Sequence, residues 1–199
     1  PCQEVTLKFA SQTGKTEAIL NFIGYTIDLD PGPTLAIQPN QKPVGEAFSK
    51  DRVSPMVRDT PSLKAKVAAN KGRDSANTML HKTYPGGHLT IGGANSPAGL
   101  ASRPIRYLLC DEIDRWEVTK EGHALDLARK RTRTFHNRKI LKVSSPTYDN
   151  FGISLEYDQS EQQYEFHLVC PDCGDSQFPQ LRHFVWPKGK PHQATYACE

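Results

Sequence analysis

The sequence predicts an α/β fold with a mainly parallel central sheet flanked by helices, followed by a small cysteine-containing extension. Three observations predict it: strand-like and helix-like segments alternate along the chain, the most apolar strand-like segment runs directly into acidic residues, and a Gly-Lys-Thr follows the first strand-like segment. Alternation favours parallel pairing because parallel strands need a crossover connection, usually a helix. We expect residues 1–163 to form the α/β domain and residues 164–199 the extension.

Composition limits the classes of protein to which the chain can belong. Its 199 residues can bury one substantial core, and its hydrophobic and charged fractions, 37% and 24%, are those of a globular protein. No apolar run approaches the ~20 residues that span a bilayer, and the first residues lack the pattern of a signal peptide. We therefore expect an intracellular fragment of a longer protein, without a membrane partner. The net charge of +3 permits nucleic-acid binding without requiring it.

The first strand and helix follow from the hydrophobic pattern. Residues 5–10 (VTLKFA) are typical of a short strand, and Gly14 then predicts a turn. Apolar side chains recur at helical spacing in residues 15–27, as at Ile19 and Phe22, so this segment predicts an amphipathic helix.

The later elements are predicted in the same way. A Pro-Gly-Gly between two strand-like runs indicates a hairpin, and Pro43 lies near the start of a helix, where its missing N–H costs least. A continuous apolar run ending in acids suits a central strand buried on both faces. In order, these segments are a strand at 34–39, a helix at 42–57, the hairpin at 78–94, the central strand at 105–114, a helix at 121–135 and a strand at 138–147.

The Gly-Lys-Thr sequence is typical of a phosphate-binding loop. In the pattern G-x-x-x-x-G-K-[ST], loop N–H groups and the helix N-terminus face the phosphates, the lysine reaches the outer phosphates, and the hydroxyl contacts Mg²⁺. Only the first position departs here, where Phe9 replaces glycine. A simple glycine turn before a helix is the alternative. The residues expected to bind the nucleotide are Ser11, Gln12, Thr13, Gly14, Lys15 and Thr16, with Lys15 also catalytic and Thr16 also a Mg²⁺ ligand.

A second element supports this interpretation. Asp111 and Glu112 directly follow the apolar run YLLC. A carboxylate at the end of a buried strand can hold the Mg²⁺ shell, and its neighbour can accept a proton from the attacking water. We assign Asp111 to Mg²⁺ and Glu112 to general-base catalysis. The alternative is a pair of helix caps. Together, the loop and the acids predict a P-loop nucleoside triphosphatase that uses ATP and Mg²⁺.

With these motifs the chain resembles the ATPase domain of the large terminase subunit of tailed bacteriophages, in its GpA-like branch. The resemblance rests on SQTGKT (11–16), GANSPAGLASRPIRYLLCDEIDRW (93–116), KVSSPT (142–147), and CPDCG (170–174) with YACE (196–199). It implies an ATP-driven motor that packages double-stranded viral DNA into a preformed capsid in the bacterial host cytoplasm. It further implies a small terminase subunit and a capsid portal as partners, and an assembled ring.

Further site residues follow from this resemblance together with local chemistry. Ser144, Ser145 and Thr147 end a strand beside the predicted phosphate loop and acids, where Ser145 and Thr147 would contact the nucleotide and sense hydrolysis; the alternative is a Ser-Pro turn. Arg103 would neutralise transition-state charge in its own site or in a neighbour's, as arginine fingers do, or would be merely solvated.

The sequence also departs from the family. Terminase loops often carry a basic residue before Gly-Lys-Thr, where this chain has Ser11 and Gln12. Lys8 lies nearby on the strand side. The segment that usually contacts adenine lies before the first strand, and we expect this sequence to lack it; the nuclease carboxylates are expected after residue 199. We therefore expect no nuclease activity from this chain.

Basic residues cluster in residues 129–139 (RKRTRTFHNRK), which contain six arginines and lysines. Such a run could contact DNA phosphates, adding salt-dependent, sequence-independent affinity. A solvated helix face is the interpretation that the sequence favours.

Three of the five cysteines gather near the C-terminal end of the chain. An odd number of cysteines in an intracellular chain argues against a disulfide framework. Cys170-x-x-Cys173-Gly is typical of a zinc knuckle, with Cys198 as a third ligand. The fourth ligand would be His183, His192 or a residue beyond Glu199, and a metal-free set of thiols is the alternative.

Two other functions fit parts of the sequence. A nucleic-acid-binding zinc module on an inactive nucleotide fold would leave Glu112 without a catalytic task. A helicase-like, DNA-dependent ATPase shares the acids Asp-Glu-x-Asp but should show further helicase motifs in a second lobe, and none is visible.

Overall fold

The computed structural model describes residues 2–67, 77–96, 103–118 and 122–198. The chain divides into two compact units, Pro1–Ser160 and Glu161–Glu199. None of the helices in the described part of the chain combines the length and the apolar character that crossing a bilayer requires.

The first unit is built on a mixed sheet whose neighbouring strands are almost all parallel. Its strand order is β1-β6-β5-β2-β4-β3, and only β3 and β4 pair antiparallel, as the predicted hairpin. The mainly parallel sheet is therefore confirmed. In chain order the strands are β1 (Glu4–Lys8), β2 (Pro33–Gln38), β3 (His81–Tyr84), β4 (Gly87–Gly93), β5 (Tyr107–Asp111) and β6 (Lys139–Ser144).

Helices follow most of the strands. The helix predicted at 42–57 is a run of π-helical and α-helical turns, which we call α2. Lys42 near its start has extended backbone angles (φ −123°, ψ 129°), and the Asn40 side chain accepts from the Val44 N–H. Two helices, α3 and α5, were not predicted. Among the described residues the longer helices are α1 (Lys15–Asp28), α2 (Gln41–Gly45, Glu46–Phe48, Ser49–Val53 and Ser54–Asp59), α3 (Pro61–Lys66), α4 (Ala124–Arg131) and α5 (Gly152–Asp158).

Several predicted elements are shorter than expected; the strand predicted at 138–147, for example, spans only Lys139–Ser144. The strand predicted at 105–114 ends at Asp111, because Glu112 has left-handed backbone angles (φ 50°, ψ 50°), and a 3₁₀ turn follows at Ile113–Arg115. The helix predicted at 121–135 ends at Arg131, where the Thr132 hydroxyl and the Thr132 N–H both donate to the Arg129 carbonyl. Residue 121 lies outside the described residues.

Both faces of the sheet are covered, which explains the apolar character of its central strands. Successive residues of one strand enter different clusters: Leu108 packs beneath α4 and α5, whereas Leu109 packs beneath α1. Every residue of β5 is buried, as predicted for a central strand. Carboxyl ends of parallel strands meet at one edge, so the segments after β1, β5 and β6 lie together.

The second unit has little internal core. Its described residues form two short strand pairs, Leu168–Val169 with Ser176–Gln177 and Phe184–Val185 with Thr195–Tyr196. Among residues 161–198, only His183 is buried. Packing alone therefore contributes little to the order of this unit.

Candidate active site

The predicted phosphate loop lies between β1 and α1. Gly14 has left-handed angles (φ 84°, ψ 16°), which glycine adopts without the steric cost borne by other residues. Its carbonyl accepts the first hydrogen bonds of α1, from the N–H groups of Glu17 at 3.0 Å and Ala18 at 3.4 Å. The turn places the N-terminus of α1 at the carboxyl edge of the sheet, where its N–H groups favour an anion.

Lys15 connects this loop to β6. Its Nζ donates to the Ala10 carbonyl at 2.7 Å and to the Ser145 hydroxyl at 2.8 Å, and the residue is 9% exposed. Lys15 and Ser145 are 130 residues apart in sequence and meet because β6 pairs with β1. The Lys15 ammonium is thus held between the loop and the polar C-terminal end of β6.

A polar cavity of about 460 Å³ opens at this edge of the sheet. It brings together most of the predicted site residues: Ser11, Gln12, Thr13, Gly14, Lys15, Thr16, Glu112, Ser145 and Thr147. Asp111 and Arg103 are not among the residues that line it. The lining is almost entirely polar, which suits a charged ligand better than an apolar one.

Asp111 is buried at the end of β5, with 4% of its surface exposed. One carboxylate oxygen, Oδ2, accepts from Gln38 at 3.2 Å, and the buried Oδ1 has no hydrogen-bond partner. Burial raises the pKa of this carboxyl group. A buried carboxylate oxygen without a partner fits the donor set of a divalent cation, which would supply the missing interaction.

Glu112 lines the cavity directly after Asp111. Its left-handed backbone is unusual for a residue with a side chain. The carboxylate Oε2 lies 3.2 Å from Nη1 of Arg115, and about a third of the side chain is exposed. A partly solvated carboxylate at this position can accept a proton from water in the cavity.

Asp114, the third acid of Asp-Glu-x-Asp, is a structural link. Its Oδ1 accepts from the Thr147 N–H and its Oδ2 from the Ile153 N–H, both at 2.9 Å, while its own N–H donates to the Ser144 hydroxyl at 3.2 Å. The carboxylate therefore joins the turn after β5 to the segment after β6 and to the start of α5. Sequence reasoning assigned no role to this residue, because all three partners lie 30 or more residues away.

Arg103 is not brought to the cavity. It precedes β5, at the opposite end of that strand from Asp111. Burial lowers the pKa of His81 and of His88, and the positive charge of Arg103 lowers both further. This position offers no support for a role in the chain's own site, so a role in a neighbouring subunit stays a prediction.

Two arginines that were not predicted line the cavity. Arg52, from α2, forms an ion pair with Glu17 of α1, and Arg115 forms the pair with Glu112. Arg115 is adjacent to the acidic motif in sequence, but Arg52 carries no local signal. It reaches the cavity only because α2 packs beside α1 on the sheet.

In the second unit, the structure brings together the three predicted zinc ligands. The sulfur atoms of Cys170, Cys173 and Cys198 all lie within 4.8 Å of one another, and those of Cys173 and Cys198 are 3.8 Å apart. Two thiolates bound tetrahedrally to one Zn²⁺ are about 3.8 Å apart, given a Zn–S bond of ~2.3 Å. Backbone N–H groups of Cys173 and Asp172 lower the pKa of the Cys170 thiol, because they stabilise the thiolate.

Neither predicted histidine belongs to this group of three. The His183 ring is engaged elsewhere: Nδ1 lies 2.8 Å from the Tyr196 hydroxyl, and Nε2 accepts from Arg182 at 3.2 Å. His192 lies in the 3₁₀ turn Pro191–Gln193. The fourth ligand therefore stays open.

The fold and the cavity define a class of α/β protein in which a lysine-bearing loop and two acids meet at the carboxyl edge of a mainly parallel sheet. The family model described as "Phage terminase large subunit gpA, ATPase domain" matches residues 1–199, and the chain belongs to this family.

Two curated relatives match nearly the whole chain. The terminase large subunit of Enterobacteria phage P21 is 27% identical over 206 residues, covering 98% of this chain, and that of Escherichia phage lambda is 26% identical over 208 residues, covering 99%. The chain spans 32% of the length of each.

Solved structures support the fold. The Thermus phage P74-26 large terminase ATPase domain has a TM-score of 0.62 at 14% identity, covering 88% of this chain and 72% of that one. The HK97 bacteriophage large terminase has a TM-score of 0.58 at 14% identity, covering 78% of this chain and 32% of that one.

Proposed function

We propose that this chain is the ATP-hydrolysing motor domain of a phage terminase large subunit, which drives double-stranded viral DNA into the capsid. The observation that carries the proposal is the single cavity that joins the Gly-Lys-Thr loop, Glu112 and the hydroxyl-bearing end of β6. Membership of the terminase ATPase-domain family supports it.

In this function the loop binds the triphosphate. Loop N–H groups at Ser11–Thr16 and the N-terminus of α1 face the phosphates, and the Lys15 ammonium moves from the Ala10 carbonyl to the outer phosphates. Arg52 lines the same cavity and supplies the second positive charge that the loop lacks at Ser11 and Gln12. Its ion pair with Glu17, which also lines the cavity, orients the guanidinium.

Thr16 and Asp111 are the residues that would hold Mg²⁺. The ion would neutralise charge that develops on the phosphates. Asp111 contributes a buried carboxylate whose Oδ1 has no protein partner, and Gln38 orients the carboxylate through Oδ2. Binding of a cation would favour the ionised carboxylate and so reverse the rise in pKa that burial causes.

Glu112 accepts the proton of the attacking water, and Arg115 holds the carboxylate in place before the reaction. Ser145 and Thr147 contact the nucleotide and sense its hydrolysis. Ser145 already bonds to Lys15, and Thr147 is held by Asp114. Arg103 acts in the site of a neighbouring subunit, which requires an assembled ring.

The wider assembly also belongs to the proposal. Double-stranded viral DNA is the polymer that moves, the small terminase subunit and the capsid portal are the protein partners, and the host cytoplasm is the location. The relatives' description as terminase large subunits supports these assignments.

Two variants of the full-length protein test the proposed chemistry. Lys15→Ala should abolish binding of a fluorescent ATP analogue, because lysine contacts ground-state phosphates. Glu112→Gln should keep that binding and lose steady-state ATP hydrolysis, with or without DNA, by about 10² to 10⁴-fold, because the glutamate acts only on the attacking water. Equal loss of binding in both variants would remove the general-base assignment, and unimpaired hydrolysis in Glu112→Gln would remove the proposed mechanism.

The cysteine group completes the proposal as a structural zinc site in a separate domain, residues 164–199. Cys170, Cys173 and Cys198 would each supply a thiolate. The CxxCG turn is already formed: the Gly174 N–H donates to the Cys170 carbonyl at 2.9 Å, and the Cys170 N–H donates to the Asp175 carbonyl at 2.8 Å. A metal crosslink would supply order that the small core of this unit cannot.

A further inference from the structure

A second cavity, of about 440 Å³, lies at the opposite edge of the sheet from the proposed ATP site. It is bounded by the amino-terminal ends of β1 and β6 and by the C-terminal part of α4. All the residues that line it are charged: Glu4, Asp126, Arg129, Lys130, Arg133 and Arg138. We call it the basic cavity.

The two acids of the basic cavity are already engaged by one arginine. Arg129 Nη2 lies 3.2 Å from Glu4 Oε2, and Arg129 Nη1 lies 3.3 Å from Asp126 Oδ1. Arg129 also donates to Glu156 of α5 at 2.7 Å. Glu4 also pairs with Lys142 at 3.2 Å, so both acids of the lining already have basic partners.

Lys130, Arg133 and Arg138 form no ion pair with any described residue. Lys130 and Arg133 are exposed, and Arg138 is partly buried. Four basic and two acidic side chains give the lining a net charge of +2. A cavity of this kind attracts an anion, and it is open enough to admit one from solvent.

Three hydrogen bonds order the backbone of the segment that carries Arg133 and Arg138. The Phe135 N–H donates to the Thr132 carbonyl at 3.0 Å, the Arg138 N–H donates to the Phe135 carbonyl at 3.3 Å, and Gln3 Nε2 of the N-terminal segment donates to the His136 carbonyl at 3.1 Å. Ordered backbone reduces the entropy that the arginines lose when they bind a ligand.

We propose that the basic cavity binds the phosphate backbone of double-stranded DNA, through Lys130, Arg133 and Arg138. The inference rests on the proposed function, which requires a DNA contact that is independent of sequence. A free nucleotide is a poorer fit, because no lining residue offers an aromatic or apolar surface for a base. Phosphodiester groups need only charge and N–H donors, which arginine supplies in a fork. The solvated helix face expected from the sequence thus becomes a binding surface on one side of α4.

The test compares two double variants of the full-length protein that remove the same charge. Arg133→Gln with Arg138→Gln alters the basic cavity, and Lys50→Gln with Lys64→Gln alters exposed lysines elsewhere. Affinity for a duplex of random sequence is measured by fluorescence anisotropy across a salt titration. The arginine variant should bind at least about tenfold more weakly near ~0.1 M salt, and the slope of log K against log salt should flatten by about 1.8, since each phosphate contact contributes about 0.9. The lysine variant should keep the wild-type affinity and slope.

A third variant guards against an effect on folding. Arg133→Lys with Arg138→Lys keeps the charge and should keep the wild-type slope, so a loss as large as that of the glutamine variant would overturn the proposal. A wild-type slope in the glutamine variant would overturn it directly. Hydrolysis without DNA should be unchanged in all these variants, because the cavity is at the opposite edge of the sheet. Absence of hydrolysis in the wild type would instead refute the proposed function while leaving the DNA titration readable.

Discussion

Arg52 lines the candidate site although nothing in the sequence around it predicts a role there. It lies in α2, carries no motif, and lines the cavity of the Gly-Lys-Thr loop with its guanidinium paired to Glu17. A triphosphate carries more negative charge than Lys15 alone can balance. In the proposed site, Arg52 of α2 supplies the additional positive charge, because the loop itself has the uncharged residues Ser11 and Gln12.

Replacement of Arg52 by glutamine should weaken ATP-analogue binding by about tenfold, because a charge-assisted hydrogen bond contributes ~1.5 kcal/mol or more. Fluorescence titration of the full-length protein measures this. Arg58→Gln is the matched control, because Arg58 is also an α2 arginine in an ion pair but does not line the cavity. Equal affinities for wild type and Arg52→Gln would show that Arg52 serves only its ion pair.

At the scale of elements, Asp114 joins three segments, and α5 approaches it closely. A Cβ atom placed on Gly152 would lie 2.7 Å from the Asp114 carboxylate, and Gly152 has φ +52°. Both the close approach and the left-handed backbone require glycine at this position. Because the same Asp114 carboxylate accepts from the Thr147 N–H and from the Ile153 N–H at the start of α5, the position of Thr147 in the candidate site depends on that of α5.

We expect Gly152→Ala to lower the free energy of unfolding by about 1–3 kcal/mol, because the added methyl group meets the carboxylate and the backbone angle is strained. Urea denaturation of the protein measures it. Gly24→Ala in α1 is the control: a Cβ there meets only Leu63 Cδ1 at 3.8 Å, and alanine favours the helix. If the two variants are equally stable, Asp114 does not restrain α5 in the way described.

A buried ion pair connects α5 to the sheet. Lys142 of β6 is 3% exposed, and its Nζ lies 2.5 Å from Glu156 Oε2. Burial alone would raise the pKa of Glu156, but the hydrogen bond from Lys142 and the charges of Lys142 and Arg129 outweigh it, so this pKa lies below its ordinary value of 4.5. The folded state therefore favours the ionised carboxylate.

Replacement of Glu156 by glutamine should cost about 3 kcal/mol of stability near neutral pH, since it leaves a buried ammonium poorly compensated. Because the folded pKa is the lower one, the carboxylate's contribution is fully present above 4.5 and is lost as the pH falls through the folded pKa. Denaturation across this range should show the difference between wild type and variant shrinking in acid. Glu46→Gln, which breaks the largely exposed pair with Lys42, should cost less than about 1 kcal/mol. A difference that stays constant with pH would contradict the role given to Glu156.

At the scale of the whole molecule, the two units are expected to owe their order to different forces. The first unit buries apolar side chains on both faces of its sheet, whereas the described residues of the second bury only His183. Three thiols within 4.8 Å are the feature of the second unit that can replace a core. We therefore expect metal to order the second unit without taking part in ATP binding.

Metal analysis of the purified full-length protein should find about one zinc bound by this chain, lost in Cys170→Ser, with nucleotide binding retained. Cys2→Ser is the matched control, because Cys2 is a free cysteine outside the group of three. Wild-type protein without stoichiometric metal, or loss of nucleotide binding together with the zinc, would refute a separate structural role.

The sequence by itself determined the features that local chemistry and periodicity encode. Alternating segments predicted the mainly parallel sheet, a continuous apolar run predicted the buried strand β5, and Pro-Gly-Gly predicted the hairpin of β3 and β4. The Gly-Lys-Thr loop, the acids after β5 and the CxxCG turn were equally readable, because each consists of residues close together in the chain.

Only the tertiary structure decided which of these segments meet. Placing β6 between β1 and β5 brings Ser145 to Lys15, and the packing of α2 on the sheet adds Arg52 to the same cavity. Arg103, expected to act in its own site or in a neighbour's, lies at the other end of β5 from Asp111, and Asp114 has a structural role through residues 30 or more positions away. The physical reason is that a strand's neighbours are set by crossover connections and by burial on two faces, and no local pattern specifies strand order.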